Sequence, residues 1–390
     1  MPWPLRMCFL MSNYVLSVTT DTARHHVRGP SLVSRRLQRF SLKHRDAVTA
    51  LAARDSRLAD LAVSFPALLF ALAVPRAGVN TDRAIALVRA GARLSELACA
   101  AGIAMWTRRL PPEAFVCALP PLPDGELFGR QIVNHLPRSP KQAARWLDAV
   151  AMVGLWGTPE AAIWVAREFN RNSAKFSDRR YHRFALYTWF SGKPQTFAGS
   201  LIKHPWHLSM GYDAVRRYSW DWIENVRAYA VLGGASLTDV WLNPGEMDGF
   251  EFVPLKSASD IIEEADAMGH CLRLYAKGVA INRCRVWGVR KEAERVATLE
   301  IGRLYSQPLL CVKQLRGKGN AIVDAEVWNA ALKWLHSHNL MAVRPVAIVD
   351  SRSVFCRAAW LQLWTPYWKA KQRLPDWLPL SPTHCAINGL

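Results

Sequence analysis

The residues best suited to chemistry are concentrated between positions 268 and 320. A His-Cys pair lies in the run Met268–Tyr275, and two strand-like segments after it carry further polar side chains. Imidazole, thiol and carboxyl groups can move protons or attack a substrate, and Gln and Arg can bind phosphate, carboxylate or a base edge. The candidate catalytic residues are His270, Cys271, Glu300, Gln314 and Arg316.

Cys271 could act as a nucleophile only with a base within hydrogen-bonding distance. His270 is its neighbour in sequence, and neighbouring side chains point about 100° apart on a helix or to opposite faces of a strand. A base would therefore have to come from elsewhere, for example from Glu300. The alternative is that Cys271 is a buried structural thiol where a helix meets a sheet.

The pattern does not predict a metal centre. Nitrogen and sulfur ligands could come from His270, Cys271, Cys284 and Cys311. Structural zinc sites use closely paired ligands, however, and two adjacent residues chelate one ion poorly. Glu300 alone offers few oxygen ligands to Mg²⁺. We therefore predict no cofactor and leave a divalent metal open.

Three segments, 285–290, 295–302 and 309–316, have strand-like patterns and are separated by short polar turns. This arrangement predicts a three-stranded antiparallel meander. A shorter strand is predicted at 250–255, where Pro254 suits a sheet edge or a strand end. A helix is predicted from about Asp324 to His338, with an apolar stripe along one side.

Period-2 alternation places Thr298 and Glu300 on the same face of the middle segment. If the registers match, Arg290, Gln314 and Arg316 lie on that face too, covered by the helix that bears the His-Cys pair. The face is then either a satisfied cross-strand network or a pocket for a phosphate, a base or a reacting substrate.

The candidate binding residues for such a pocket are Tyr275, Arg290, Thr298, Gly317 and Asn320. The run 317–320 could present backbone amides to a phosphate, but it matches no P-loop and is more typical of a turn.

The elements that position these residues predict an α+β chain in four parts. They are a basic, loosely structured arm at 1–45, a helical region at 46–243, an α+β domain at 244–350 and a Trp-rich helix and tail at 351–390. In the last part Trp360, Trp364 and Trp368 recur every four residues, so they share one helix face. An exposed face of that kind could dock a protein partner.

The 390 residues carry a formal net charge of +19, which favours contact with nucleic acid. Arg28, Arg35, Arg36 and Arg39 lie in the arm without an acid nearby and are the candidate nucleic-acid contacts. The eight Cys are scattered with no C-x-x-C pair, which is typical of reduced thiols and predicts a cytoplasmic protein. The most apolar stretch is too short to span a bilayer, so no membrane span is predicted.

Residues 245–340, about a quarter of the chain, resemble the PcfJ-like family of conjugative plasmids, phages and related mobile genetic elements. The matching positions, in order and spacing, are His270-Cys271, Tyr275, Gly278, Arg290, Thr298-x-Glu300, Gln314-x-Arg316-Gly317-x-x-Asn320 and the following helix with Trp334. The resemblance implies a mobile-element context and no particular mechanism, because the family has no established biochemical activity.

Three functions are therefore open from the sequence. The first is a PcfJ-like protein that acts on or beside nucleic acid. The second is a hydrolytic or nucleolytic enzyme that uses His270, Glu300, Gln314 and Arg316. The third is a protein-interaction module.

Overall fold

The computed structural model describes residues 31–176, 178–303, 309–350 and 355–382. Within these ranges the chain is α+β, as the sequence predicts. The α-helices are α1 (Leu32–Leu37), α2 (Leu42–Ala52), α3 (Ser56–Ser64), α4 (Pro66–Ala73), α5 (Asp82–Ala90), α6 (Leu94–Ala100), α7 (Glu126–Ile132), α8 (Ala143–Trp156), α9 (Pro159–Asn172), α10 (Asp178–Ser191), α11 (Phe197–Ser200), α12 (Tyr212–Leu232), α13 (Ala258–Met268), α14 (Ala276–Ala280), α15 (Ala325–His336) and α16 (Arg357–Lys371). The strands are β1 (Gly245–Met247), β2 (Phe250–Pro254), β3 (Cys284–Lys291), β4 (Glu294–Arg303) and β5 (Leu310–Arg316).

Aromatic side chains fill the core of the helical region. Trp146 and Trp164 are fully buried, and each donates its indole N–H to a backbone carbonyl, of Ala166 at 3.2 Å and Met210 at 2.7 Å. Such bonds let a large apolar ring enter a core without leaving its one donor unsatisfied. None of the helices in the described ranges combines the length and apolarity that a membrane crossing requires.

The tryptophan face of α16 belongs to this core. Trp360 and Trp364 have no exposed surface, and Trp364 lies against Phe190 and Trp222. The Tyr367 hydroxyl donates to the carbonyl of Trp156 at 2.8 Å. The expectation of an exposed docking face is therefore wrong, since periodicity shows that a face is apolar but not what covers it.

The described part of the basic segment, residues 31–45, is more ordered than expected. Ser31 caps α1 through its hydroxyl, and α2 begins at Leu42. Arg39 forms a bidentate pair with Glu113 at 2.7 and 3.1 Å, so it serves the packing of the helical region. Arg35 and Arg36 lie in the last turn of α1, and Arg28 lies outside the described residues.

The sheet is larger than the predicted three-stranded meander. Its five described strands run antiparallel in the order β1-β2-β3-β4-β5. β1 joins β2 through the two-residue turn Asp248-Gly249, both with positive φ, which is the pairing that a tight hairpin favours. β1 has only three residues, too few for its alternation to be visible in the sequence.

The two faces of the sheet have different coverings. α15, which the sequence predicts within two residues at each end, covers one face with Trp334. Its indole stacks on Phe252 at 4.5 Å between ring centres and meets Trp287 edge-on at 4.8 Å. The other face is covered by α13, the turn 272–275 and α14, and it carries the polar residues of interest.

The segment over that second face is tied to the helical region. Arg273 donates to the Asn225 side chain of α12 at 2.5 Å and pairs with Asp266. Asp266 in turn pairs with Lys203, which follows α11. The covering segment therefore has bonds to both the sheet side and the helical side of the molecule.

Candidate functional site

A small polar recess lies between the second face of the sheet and the segment that covers it. Its interior space is about 40 Å³, enough for roughly three water molecules. The lining residues are His270, Cys271, Leu272, Tyr275, Val286, Thr298, Glu300, Gln314, Arg316 and Asn320. All five candidate catalytic residues line it. Glu300, Gln314 and Arg316 come from adjacent strands, on the face that period-2 alternation predicts, and His270 and Cys271 come from the covering segment, with Cys271 at the edge.

Local backbone signals place His270 over the sheet. α13 begins with a reciprocal capping box between Ser257 and Asp260 and ends at Gly269, whose φ of 64° is left-handed. The His270 N–H then bonds back to the Ala265 carbonyl at 3.2 Å. The chain turns sharply here, so that the imidazole points to the sheet.

His270 is the end of a chain of buried hydrogen bonds. Its Nε2 lies 2.9 Å from the Thr298 hydroxyl, which donates to Glu264 Oε1 at 2.9 Å. The other oxygen of Glu264 accepts from Arg295 Nε at 2.9 Å. Glu264 is only 1% exposed, and this pairing satisfies its charge.

Hydrogen-bond accounting fixes the tautomer of His270. A carboxylate only accepts, so the single hydroxyl hydrogen of Thr298 goes to Glu264. The hydroxyl oxygen must then accept from His270, which places the proton of the neutral ring on Nε2. Burial lowers the pKa of His270, and a hydrogen bond to its own backbone acts in the opposite direction; with the pKa below its ordinary value the ring is neutral at physiological pH and Nδ1 carries no proton.

Glu300 is the carboxyl group on the recess wall, and it is half-buried. Burial raises its pKa, and the neighbouring Cys284 thiol and the positive charge of Lys313 act in the opposite direction. Burial also raises the pKa of the Cys284 thiol to about 12, so that group is inert as a nucleophile. A Cβ on Gly278 would lie 3.0 Å from the Cys284 sulfur, which explains a glycine at this position.

The raised pKa of Glu300 makes stability depend on pH. The folded protein holds this proton to a higher pH than the unfolded chain, so stability falls as the pH rises from the ordinary Glu value through the folded one. We expect Glu300→Gln, which cannot ionise, to melt at a higher temperature than the wild type at neutral pH and at the same temperature near about pH 4. Thermal unfolding followed by circular dichroism at both values measures this, with exposed Glu294→Gln as control. An equal difference at both pH values would contradict it.

Tyr275 and Gln314 close one side of the recess. The Tyr275 hydroxyl donates to Gln314 Oε1 at 2.6 Å, which leaves the amide nitrogen of Gln314 for other contacts. Burial raises the pKa of Tyr275, with Glu300 adding to this effect and nearby Arg316 opposing it. Tyr275 is therefore protonated at neutral pH and acts as a donor.

Arg316 has no acid partner among the described residues. It stands opposite Thr298 in the β4–β5 register, and Glu300 stands opposite Gln314, so Arg316 and Glu300 are only diagonal neighbours. No carboxylate in the described ranges lies within 4.0 Å of its guanidinium. By contrast, Arg273, Arg285 and Arg295 each pair with an acid.

The structure places three of the predicted site residues differently from what the sequence led us to expect. Arg290 lies at a register shift after Val289 and lines a different cavity, beside Arg295 and Glu251. Cys271 is exposed at the edge of the recess, so it is not a buried structural thiol. The Gly317 N–H bonds to the Ala321 carbonyl at 2.9 Å, so it is unavailable to a phosphate.

Sequence reasoning did not assign Glu264, Cys284 and Arg295 to the site. A signal for Glu264 exists: it lies three residues after Ile261 and four before Met268, which places an acid on the apolar stripe of α13. A charge on a buried stripe requires a partner, which here is Arg295. Nothing comparable marks Cys284, whose pattern is that of any buried strand residue.

Within the described residues, no three His, Cys, Asp or Glu side chains come together in a way that could hold a metal ion. Comparison with known proteins found no matching family model, curated protein or solved structure. The fold and the recess thus define an α+β protein with a polar, partly enclosed recess, and its function must be argued from the residues of that recess.

Proposed function

We propose that this chain is a PcfJ-like protein of a mobile genetic element, that it acts on or beside nucleic acid, and that the recess binds a phosphate-bearing group. The residues that carry the resemblance support this proposal, because most of them line one recess. Those residues are His270, Cys271, Tyr275, Thr298, Glu300, Gln314, Arg316 and Asn320.

The observation that carries the proposal is the state of Arg316. Arg290 and Arg303 also have no acid partner among the described residues, and neither lines the recess. A partly buried guanidinium is normally paired, as those of Arg273 and Arg285 are. Arg316 instead faces the recess beside the Gln314 amide nitrogen, whose hydrogens are available because the Tyr275 hydroxyl donates to the oxygen of that amide. A planar cation with adjacent donors suits the oxygens of a phosphate.

The charge state of the other ionisable groups agrees with an anionic ligand. Burial keeps His270 neutral and favours the protonated form of Glu300. Arg316 is the permanent positive charge on the recess wall, in a chain of formal net charge +19. Positive charge of this kind attracts phosphates over long distances.

A nucleolytic enzyme is the second candidate, and the pKa shifts favour it. A carboxyl group with a raised pKa and an imidazole with a free Nδ1 are an acid and a base in one recess. Both groups line the same cavity as Arg316, which would hold the phosphate that reacts. Cleavage of a bound strand is therefore a possible outcome of the binding experiment below.

We expect Arg316→Gln to weaken binding of thymidine 5′-monophosphate by roughly ten- to a hundredfold, since a hydrogen bond to a charged group contributes about 1.5–3 kcal/mol. Two-dimensional NMR titration of isotope-labelled protein measures this affinity. Arg283→Gln, an exposed arginine of the same domain, is the matched control and should bind as the wild type does.

Equal affinity of the wild type and Arg316→Gln, or no binding by either, would overturn the phosphate assignment. A fluorescein-labelled oligothymidylate incubated in parallel reports cleavage on a denaturing gel. Shortening that the wild type causes and Glu300→Gln does not would identify the nucleolytic alternative.

A further inference from the structure

A second cluster of arginines lies on the helical region, where α10 packs beside α12. Arg183 comes from α10 and Arg227 from α12, and both approach the ring of Trp220, with guanidinium carbons 4.9 and 5.5 Å from its centre. Arg180 lies one turn before Arg183 and bonds to the Tyr212 hydroxyl at 2.6 Å. Trp220 itself is 45% exposed, in a chain whose other large aromatic rings are mostly buried.

Among the side chains that the structure describes, this cluster has more positive than negative charge in a buried setting. Arg183 is only 6% exposed, and its Nε has no hydrogen-bond partner. Burial, together with the neighbouring positive charges of Arg227 and Arg180, lowers its pKa to about 10. Glu224 is the buried acid here, and it pairs with Arg227 at 2.5 Å. A protein tolerates such unbalanced burial at a cost in stability, which an anionic ligand would offset.

The geometry points to single-stranded nucleic acid as the ligand of this surface: we propose that a base stacks on Trp220 while Arg180, Arg183 and Arg227 attract the adjacent phosphates. An exposed indole with arginines around it combines the two features by which proteins bind single strands, aromatic stacking and a cationic path. Arg216, one turn before Trp220, extends the positive surface and shares Asp213 with Lys175.

This inference rests on the nucleic-acid part of the proposed function but not on the recess. The two sites use different residues, and Trp220 is not in the recess wall. A change at Trp220 should therefore leave binding of the mononucleotide to the recess unaltered. That independence lets the two proposals fail separately.

The test is fluorescence anisotropy of the full chain with two labelled strands, an oligothymidylate and the same strand with abasic sites. We expect Trp220→Ala to bind the oligothymidylate about tenfold more weakly than the wild type, because stacking contributes about 1–3 kcal/mol per base. Trp220→Phe should restore most of the affinity. Leu127→Ala, which truncates another exposed apolar side chain, is the control and should bind normally.

The abasic strand isolates stacking from charge. The wild type should bind it about tenfold more weakly than the intact strand, whereas Trp220→Ala should bind the two strands equally. If the wild type binds the oligothymidylate and Trp220→Ala binds it just as tightly, this surface assignment is wrong and the nucleic-acid role stands. If the wild type binds no strand even at low salt, both this surface assignment and the proposed nucleic-acid role are wrong. If polyglutamate displaced the labelled strand as readily as unlabelled oligothymidylate does, the surface would bind polyanions in general, and the stacking assignment would also be wrong.

Discussion

Replacing Trp334 by alanine should lower the free energy of unfolding by about 3–5 kcal/mol, the largest stability loss we expect from a single change in the sheet domain. The indole lies between α15 and the sheet with 2% of its surface exposed. It stacks on Phe252 with planes only 5° apart and meets Trp287 edge-on. The substitution removes both ring contacts and leaves a cavity that the rigid sheet cannot fill.

Urea unfolding followed by far-ultraviolet circular dichroism measures this loss. Because alanine has a high helix propensity, the loss reports the missing ring contacts and not a weaker helix. Leu332→Ala on the same helix is the matched control: Leu332 is 39% exposed, so its loss should cost less than about 1 kcal/mol. A Trp334→Ala midpoint equal to that of Leu332→Ala would show that α15 does not hold the sheet through this ring.

Replacing Glu264 by alanine should cost about 2–3 kcal/mol and should change the protonation pattern of His270. The substitution removes the acceptor of two buried bonds, from Thr298 and Arg295. Breaking a buried pair costs about 3–5 kcal/mol, but Arg295 is 36% exposed at its side chain and can rehydrate, which reduces the loss. Glu263→Ala, one residue earlier and exposed, should have little effect.

The effect on His270 follows from the freed hydroxyl. Without Glu264, Thr298 can turn its hydrogen towards the imidazole, and Nε2 no longer has to be the protonated nitrogen. Nitrogen-15 chemical shifts of labelled histidine distinguish the two tautomers, and His270→Gln assigns the signals. Thr298→Val should abolish the preference for Nε2–H as Glu264→Ala does. A wild-type ring that is protonated on Nδ1 would show that the hydrogen-bond chain runs in the opposite sense.

The strands that carry the site could be predicted because their pattern is local. Alternation within 295–302 determines that Thr298 and Glu300 share a face, whatever the rest of the chain does. The β4–β5 register, which places Gln314 and Arg316 beside them, has an irregularity after Glu300. The β3–β4 register has another irregularity after Val289, and Arg290 lies beyond it, outside the recess. Bulges of this kind follow from tertiary packing and leave no mark in the residue pattern.

Partners across long sequence separations could not be predicted either. Glu264 and Thr298 are 34 residues apart, and their bond exists because α13 crosses the sheet at this point. The covering of the α16 tryptophans by Phe190 and Trp222 is of the same kind. In both cases the sequence shows that a side chain needs a partner, whereas only the fold shows which residue it is.

The bonds of Asp266 and Arg273 connect one wall of the recess to the helical region. The segment that forms one wall of the recess also contacts Lys203 and Asn225 of the helical region. Widening of the recess by movement of this wall would therefore strain that contact. Because coupling between two equilibria is reciprocal, a ligand that requires a wider recess weakens the packing of the two regions, and tighter packing lowers the affinity for such a ligand. Movement of this wall would thus link occupancy of the recess to the packing of the helical region through three ionic side chains and an amide.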